Sequence, residues 1–364
     1  MNELLHRIAL TLVPNIGDVH LKTLISYFGD APAVFKAKRK ELEALEGIGL
    51  IRAKSIKDFT DFTSAEKEIA FIEKYKITPL FITDKHYPQR LLNCYDSPAL
   101  LYYRGTADLN NTKIISIVGT RNNSDYGKFI TEKLITELAA QPLLICSGLA
   151  FGIDTIAHKS ALKNGLPTVA VLAHGLDIIY PVQNKSLARQ MTDHGGLLTD
   201  FCSSIKPDKQ NFPKRNRIVA GICDALIVME SSKKGGSLIT AELANSYNKD
   251  VFAFPGKITD LKSEGCNHLI KQNKAILITC AKDLIDNMCW NEDKPVRKKQ
   301  RQLFIELTDH EKIIIDILEA QENIHIDELL FKSGLSYGTA AGALLNLEMQ
   351  AVIVSLPGKI YKLI

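Results

Sequence analysis

The chain has 364 residues, 46% hydrophobic and 24% charged, enough for two or three packed domains and too apolar for a disordered chain. Its net charge of +4 is uneven: residues 301–364 carry five basic and nine acidic side chains, a net of −4, leaving +8 on the body, where a polyanion would bind. Seven cysteines without a CxxC pair, no membrane-length apolar run and no signal-peptide layout in MNELLHRIALTLV argue against disulfides, zinc and membrane, and for a cytoplasmic setting.

Residues 1–62 hold two similar stretches, PNIGDVHLKTLI from Pro14 and EGIGLIRAKSIK from Glu46. In each, Ile-Gly precedes apolar or small residues at helical spacing (Leu21 and Leu24; Ala53 and Ile56), which predicts helix, tight turn and helix in tandem. The pattern resembles a pair of helix-hairpin-helix motifs, in which Gly turns and helix N-termini offer N–H groups to a phosphate. A small helical bundle whose glycines only make turns accounts for it equally well. From residue 63 a helical pattern runs from Ser64 to Tyr75, and Leu100 to Tyr103 reads as a strand. Tyr87-Pro88 and Ser97-Pro98 break any helix between them, and this segment leads into the core without evident chemistry.

Strands and helices alternate from there to residue 290. Strand-like runs begin at Ile114 (IISIVG), Leu143 (LLICSG), Thr168 (TVAVLA), Ala225 (ALIVME), Val251 (VFAFPG) and Ala275 (AILIT). Helical spacing separates them, as in Tyr126, Ile130, Leu134 and Leu138. Such a pattern predicts an α/β fold, a parallel sheet covered on both faces, with ligands gathered at the carboxyl ends of the strands. Those ends carry Gly119-Thr120-Arg121 after the first run, Ser147-Gly148-Leu149-Ala150-Phe151-Gly152 after the second, and Gly235-Gly236-Ser237 after the fourth. Glycines there let N–H groups approach an anion.

Close by in the sequence runs Lys206 to Arg217, KPDKQNFPKRNR, with five Lys or Arg in twelve residues. Lys209, Arg215 and Arg217 supply cations, and Asn211 and Asn216 supply hydrogen bonds. Phe212, held between Asn211 and Pro213, offers a ring for stacking on a base. Alone, such a run reads as a solvated basic loop. Three glycine turns on one sheet edge favour an anion-binding groove instead.

What is missing narrows the chemistry. There is no GxxxxGK[ST], and no GxGxxG after the first strand, which argues against a nucleotide cofactor. Asp154, Asp177, Asp200, Asp224, Glu230 and Glu242 form no dense metal-binding motif, so neither a metal nor catalysis is expected. Asp154 reads as a helix-start residue. His158 and His174 read as structural, having no Ser or Cys partner in sight.

Six stretches in order then make a resemblance specific: GTR at 119, SGLAFGIDTIAH at 147, LAHGLDIIYPVQNK at 172, NFPKRNRIVAG at 211, GGSLITAELA at 235 and FAFPGKITDLKSEGCNHLI at 252. Together they resemble the DNA-processing protein A family (DprA, also called Smf), closely over residues 113–280 and more loosely from about 80. The resemblance implies an extended Rossmann-like core that binds single-stranded DNA without sequence preference and loads the RecA recombinase during natural transformation. It implies a DNA pocket lined by Arg121, the Ser147 to Gly152 turn, Lys209, Phe212, Arg215 and the Gly235 to Ser237 turn, with Lys185 near the rim. A homodimer is implied too, with Thr259 to Ala275 as the candidate interface. Two departures stand out: Ala173-His174 where Gly-Cys or Gly-Thr is frequent, and Phe151 where Arg is frequent, which shifts the expected affinity from charge toward stacking.

Residues 291–302, NEDKPVRKKQRQ, read as a basic linker. Residues 303–364 hold three helical patterns and a hairpin with Pro357-Gly358 at its turn, which is a winged-helix layout. Ser336 to Gln350, its third helix, has no Lys or Arg, so protein contacts or regulation are expected there in place of groove reading. The domain reading is therefore 1–62, 63–290, the linker 291–302, and 303–364. The competing reading is an enzyme: GGSLITAE faintly resembles part of the PGGxGTxxE signature of nucleotide phosphoribohydrolases, with Glu242 as acid or base and Arg121 or Arg217 beside it.

Overall fold

The computed structural model describes residues 2–290, 307–321, 323–350, 352–356 and 358–363. The linker expected at 291–302 and Pro357 lie outside the described residues. The chain divides into two compact units, Met1–Trp290 and Asn291–Ile364.

The first unit is built on a nine-stranded sheet. Its strands are β1 (Thr78–Phe81), β2 (Leu100–Gly105), β3 (Lys113–Val118), β4 (Leu143–Ser147), β5 (Thr168–Val171), β6 (Gly195–Thr199), β7 (Ala225–Val228), β8 (Asp250–Ala253) and β9 (Ile276–Leu277). Their order is β1-β2-β6-β5-β4-β3-β7-β8-β9. From β6 to β9 every neighbour is parallel. Every residue of β3 to β7 is buried, which is why all of these strands except β6 read as largely apolar runs instead of alternating ones.

Two features depart from the parallel sheet expected. β2 runs antiparallel to β6, and β1 antiparallel to β2, so the lead-in segment extends the same sheet. β6 itself was hidden because it begins Gly-Gly. The reason for that choice is steric: a Cβ on Gly196 would stand 2.4 Å from the Tyr103 ring, and one on Gly195 would stand 1.9 Å from Thr168 O.

The N-terminal helices Asn2–Leu12, Asp18–Phe28, Gly49–Asp58 and Thr63–Tyr75 share one buried cluster with Phe81, Leu100 and Tyr102 of β1 and β2. The first glycine turn faces the sheet unit. Asp18, at the start of its helix, accepts the Ala99 N–H at 2.8 Å and pairs with Arg217 at 2.9 Å. In the second hairpin Arg52 donates to Asn15 O and Gly47 O, which ties the two turns together.

The second unit packs helices Asp309–Ala320, Ile326–Ser333 and Tyr337–Met349 on a small sheet. That sheet has the order β10-β12-β11, with β10 (Ile324–His325), β11 (Ile353–Leu356) and β12 (Ile360–Leu363). Thr308 and Glu311 form a capping box at the first helix. β10 was not expected, since two residues show no periodicity. The third helix exposes Tyr337, Leu345 and Met349, an apolar face.

Candidate nucleic-acid interface

The chain leaves β3 through β4, β5 and β6 on one side and returns to β7 on the other, so the strand order reverses between β3 and β7. At the carboxyl end of such a switch point the loops diverge and leave a crevice. A cavity of about 470 Å³ lies there.

Its walls come from each turn singled out in the sequence. The β3 turn contributes Gly119, Thr120 and Arg121, and the β4 turn contributes Gly148 and Ala150. Beyond β7, Gly235, Gly236 and Ser237 open the helix Gly236–Ser246, whose N-terminus carries no side-chain cap and faces the cavity with its positive dipole end. Lys209 lines the rim.

Residues 211–221, read as part of a basic groove, form a helix. A 3.6-residue period puts Phe212, Arg215, Asn216 and Val219 on one face, and these line the cavity with Pro213. Arg217 lies on the far side of that helix. It pairs with Asp200 at 2.7 Å and Asp18 at 2.9 Å and donates to Asp96 O. Burial opposes its charge, but the two carboxylates hold its pKa above the ordinary value. The expectation that Arg217 contacts DNA is therefore corrected: it is an internal clamp.

Other expected contacts also turn inward. Ser147 is buried and donates to Ile117 O. Leu149 is buried among Leu172, Leu187 and Met191. Asn211 donates to Lys206 O and so holds its own loop. Lys185, expected near the rim, is instead exposed at the start of the helix Lys185–Asp193 and does not line the cavity. Gly152, at φ 76°, lets the β4 turn press on the β3 turn; a Cβ there would stand 2.3 Å from Thr120 O.

The floor is a buried charge. Arg215 is 4% exposed, donates to Val171 O at 2.6 Å, and its Nε has no partner among the described residues. Its Nη1 stands 1.8 Å from where a Cβ on Gly148 would be, so any other residue there would displace the guanidinium. Asp154, expected merely to favour a helix start, instead accepts the N–H groups of Gly148 (3.1 Å) and Ala150 (3.3 Å) and pins the turn. Burial raises its pKa; the nearby Arg215 charge and these N–H groups pull it back. Above the floor the Arg121 guanidinium lies 4.9 Å from the centroid of the half-buried Phe212 ring. Sequence reasoning missed Ile239 and Thr240, which line the cavity one helical turn beyond Gly236, a spacing that could have found them.

The residue needed by the enzyme reading is elsewhere. Glu242 is exposed, pairs with Lys274 at 2.7 Å and does not line the cavity. Glu230, also near the edge, is buried and accepts from Ser124. Among the described residues no group of three His, Cys, Asp or Glu could hold a metal.

Both histidines are internal. The Tyr180 N–H donates to His174 Nε2. Thr168 Oγ1 donates to Ile145 O, so His158 Nδ1–H donates to Thr168 Oγ1 and leaves Nε2 in the core with no partner among the described residues. Burial, helped by the Arg215 charge, lowers the His158 pKa from 6.5 to about 3. The unfolded chain therefore takes up this proton first, so the stability held by neutral His158 is complete above pH 6.5 and is lost as pH falls toward 3. Between pH 7 and pH 5 the loss is about 2 kcal/mol. Urea unfolding at both pH values should show wild type losing that much more than His158→Asn, which keeps a donor and cannot titrate; equal losses would refute the assignment.

Fold and site define a Rossmann-like α/β protein with a glycine-lined crevice, bordered by Arg121, Lys209 and Arg215, at its switch point. Residues 78–289 match the family model described as DNA recombination-mediator protein A, and residues 299–359 match the DprA winged helix domain. The chain belongs to that family. It is 31% identical to protein Smf of Synechocystis over 99% of both chains. It is 40% identical to DNA processing protein DprA of Streptococcus pneumoniae over 63% of this chain and 85% of that one. The crystal structure of the Streptococcus pneumoniae DprA superposes with a TM-score of 0.69 at 34% identity, covering 78% of this chain and 97% of that one. DNA processing protein A from Helicobacter pylori, solved to describe its single-stranded DNA binding mode, gives a TM-score of 0.54 at 29% identity over 60% and 98%.

Proposed function

We propose that this chain is a non-catalytic mediator that binds single-stranded DNA without sequence preference in the switch-point cavity and loads RecA onto it. The observation that carries this reading is the cavity itself: a ring under a guanidinium, a buried arginine floor and an uncapped helix N-terminus. Phosphates suit the cations and N–H groups, and a base suits the ring. The family and the single-stranded DNA binding of the Helicobacter pylori relative support it. A cytoplasmic homodimer that protects incoming strands is part of the proposal, with Thr259 to Ala275 as candidate interface. The apolar face of the third winged helix suits a protein contact.

Anisotropy titration of a labelled oligothymidine across a salt series tests the binding step. Binding should weaken linearly in log–log form with a slope of about −0.7 per neutralised phosphate. No binding at low salt would remove the DNA reading, and release of adenine from AMP would then be the next measurement.

A further inference from the structure

A second, much smaller cleft shares Arg121, Gly148, Ala150 and Phe212 with the main cavity and continues beyond them. Its far wall is Phe151 and Tyr180, 43% and 45% exposed. The Tyr180 and Phe212 ring centroids are 6.2 Å apart, tilted by 55°. Leu172, Ala173, His174 and Pro181 make an apolar floor, and the Tyr180 backbone is anchored on His174. About 20 Å³ of space means that nothing base-sized fits inside it, so a base would meet the exposed rings of Phe151 and Tyr180 at its rim.

The strand order places this cleft. The main cavity sits over the ends of β7, β3 and β4, and the second continues over β4 to the residues after β5, consecutive neighbours in the sheet. Three inter-strand spacings make a track about 14 Å long. A mononucleotide has no use for that length, whereas a strand meets a phosphate-binding cavity, then Arg121 over Phe212, then two further rings.

We propose that Phe151 and Tyr180 form a second nucleobase seat, which receives the base adjacent to the nucleotide in the main cavity while Arg121 faces the phosphate between them. This rests on the DNA reading above. The seat is made of rings, so it should contribute affinity without releasing counterions.

The test is an oligothymidine length series at several salt concentrations with wild type, Tyr180→Ala, Tyr180→Phe, Phe151→Ala and Lys209→Ala. Tyr180→Ala and Phe151→Ala should weaken long oligomers by roughly 5- to 150-fold, the equivalent of about 1–3 kcal/mol per stacked base, with the salt slope unchanged. The shortest oligomer that binds wild type should be bound equally, and Tyr180→Phe should behave as wild type. Lys209→Ala should flatten the slope by about 0.7. Wild-type affinity at every length for both alanine variants would overturn the seat while leaving the DNA reading intact. Failure of wild type to bind any oligomer would overturn the reading beneath it and the seat with it. Phe151→Ala serves alone if Tyr180→Ala does not fold.

Discussion

Arg217→Met is expected to destabilise the first unit by about 3–5 kcal/mol in urea unfolding, because it strands a buried carboxylate. The Asp200 side chain is 9% exposed, and its Oδ1 already has no partner among the described residues. Without the guanidinium, burial leaves Asp200 either charged in the core or protonated at a cost. The same cation holds Asp18 of the N-terminal helices and Asp96 O of the lead-in, so three segments loosen together. Replacing Asp200 by Leu as well should recover part of the loss, since removing both charges leaves none unpaired. If Arg217 were a phosphate contact, the single variant would instead keep its stability and show a flatter salt slope. Those two outcomes do not overlap.

The second large effect concerns binding. Phe212→Ala should weaken oligothymidine binding by roughly 5- to 150-fold, the loss of one stacked base at about 1–3 kcal/mol. Arg121→Ala should also flatten the salt slope by about 0.7, the signature of one lost phosphate contact. The double variant should lose less than the sum, because the guanidinium lies over the ring and each single change already disturbs the other. Arg121 is exposed and Phe212 half-buried, so thermal unfolding should move little for either. A folded double variant that binds like wild type would remove this cavity as the DNA site.

The sequence by itself determined the local grammar of this protein. Continuous apolar runs marked β3, β4, β5, β7 and β8, because strands buried on both faces need no polar alternation. Glycine turns at their ends marked the crevice, because a parallel sheet brings the ends of its strands to one edge. The net acidity of the winged-helix module, and the absence of Lys and Arg from its third helix, were equally plain.

Tertiary structure decided which side chains that edge presents. Arg215 and Arg217 look alike in KRNR, yet helical phase sends one under the cavity and the other toward Asp18, 199 residues away. The phase follows from a 3.6-residue period once the segment is known to be a helix; the carboxylates that receive Arg217 belong to other elements and leave no local trace. β6, and the antiparallel attachment of β1 and β2 to the sheet, became visible only through pairing, although β2 itself reads as a strand; Gly195 and Gly196 gain their meaning from Thr168 O and the Tyr103 ring. Phe151, Tyr180 and Phe212 sit far apart in the sequence and line one cleft because the segments that carry them gather at one edge of the sheet. Periodicity and turn chemistry act over a few residues, whereas burial and charge pairing act through space, and only the fold says which distant groups share it.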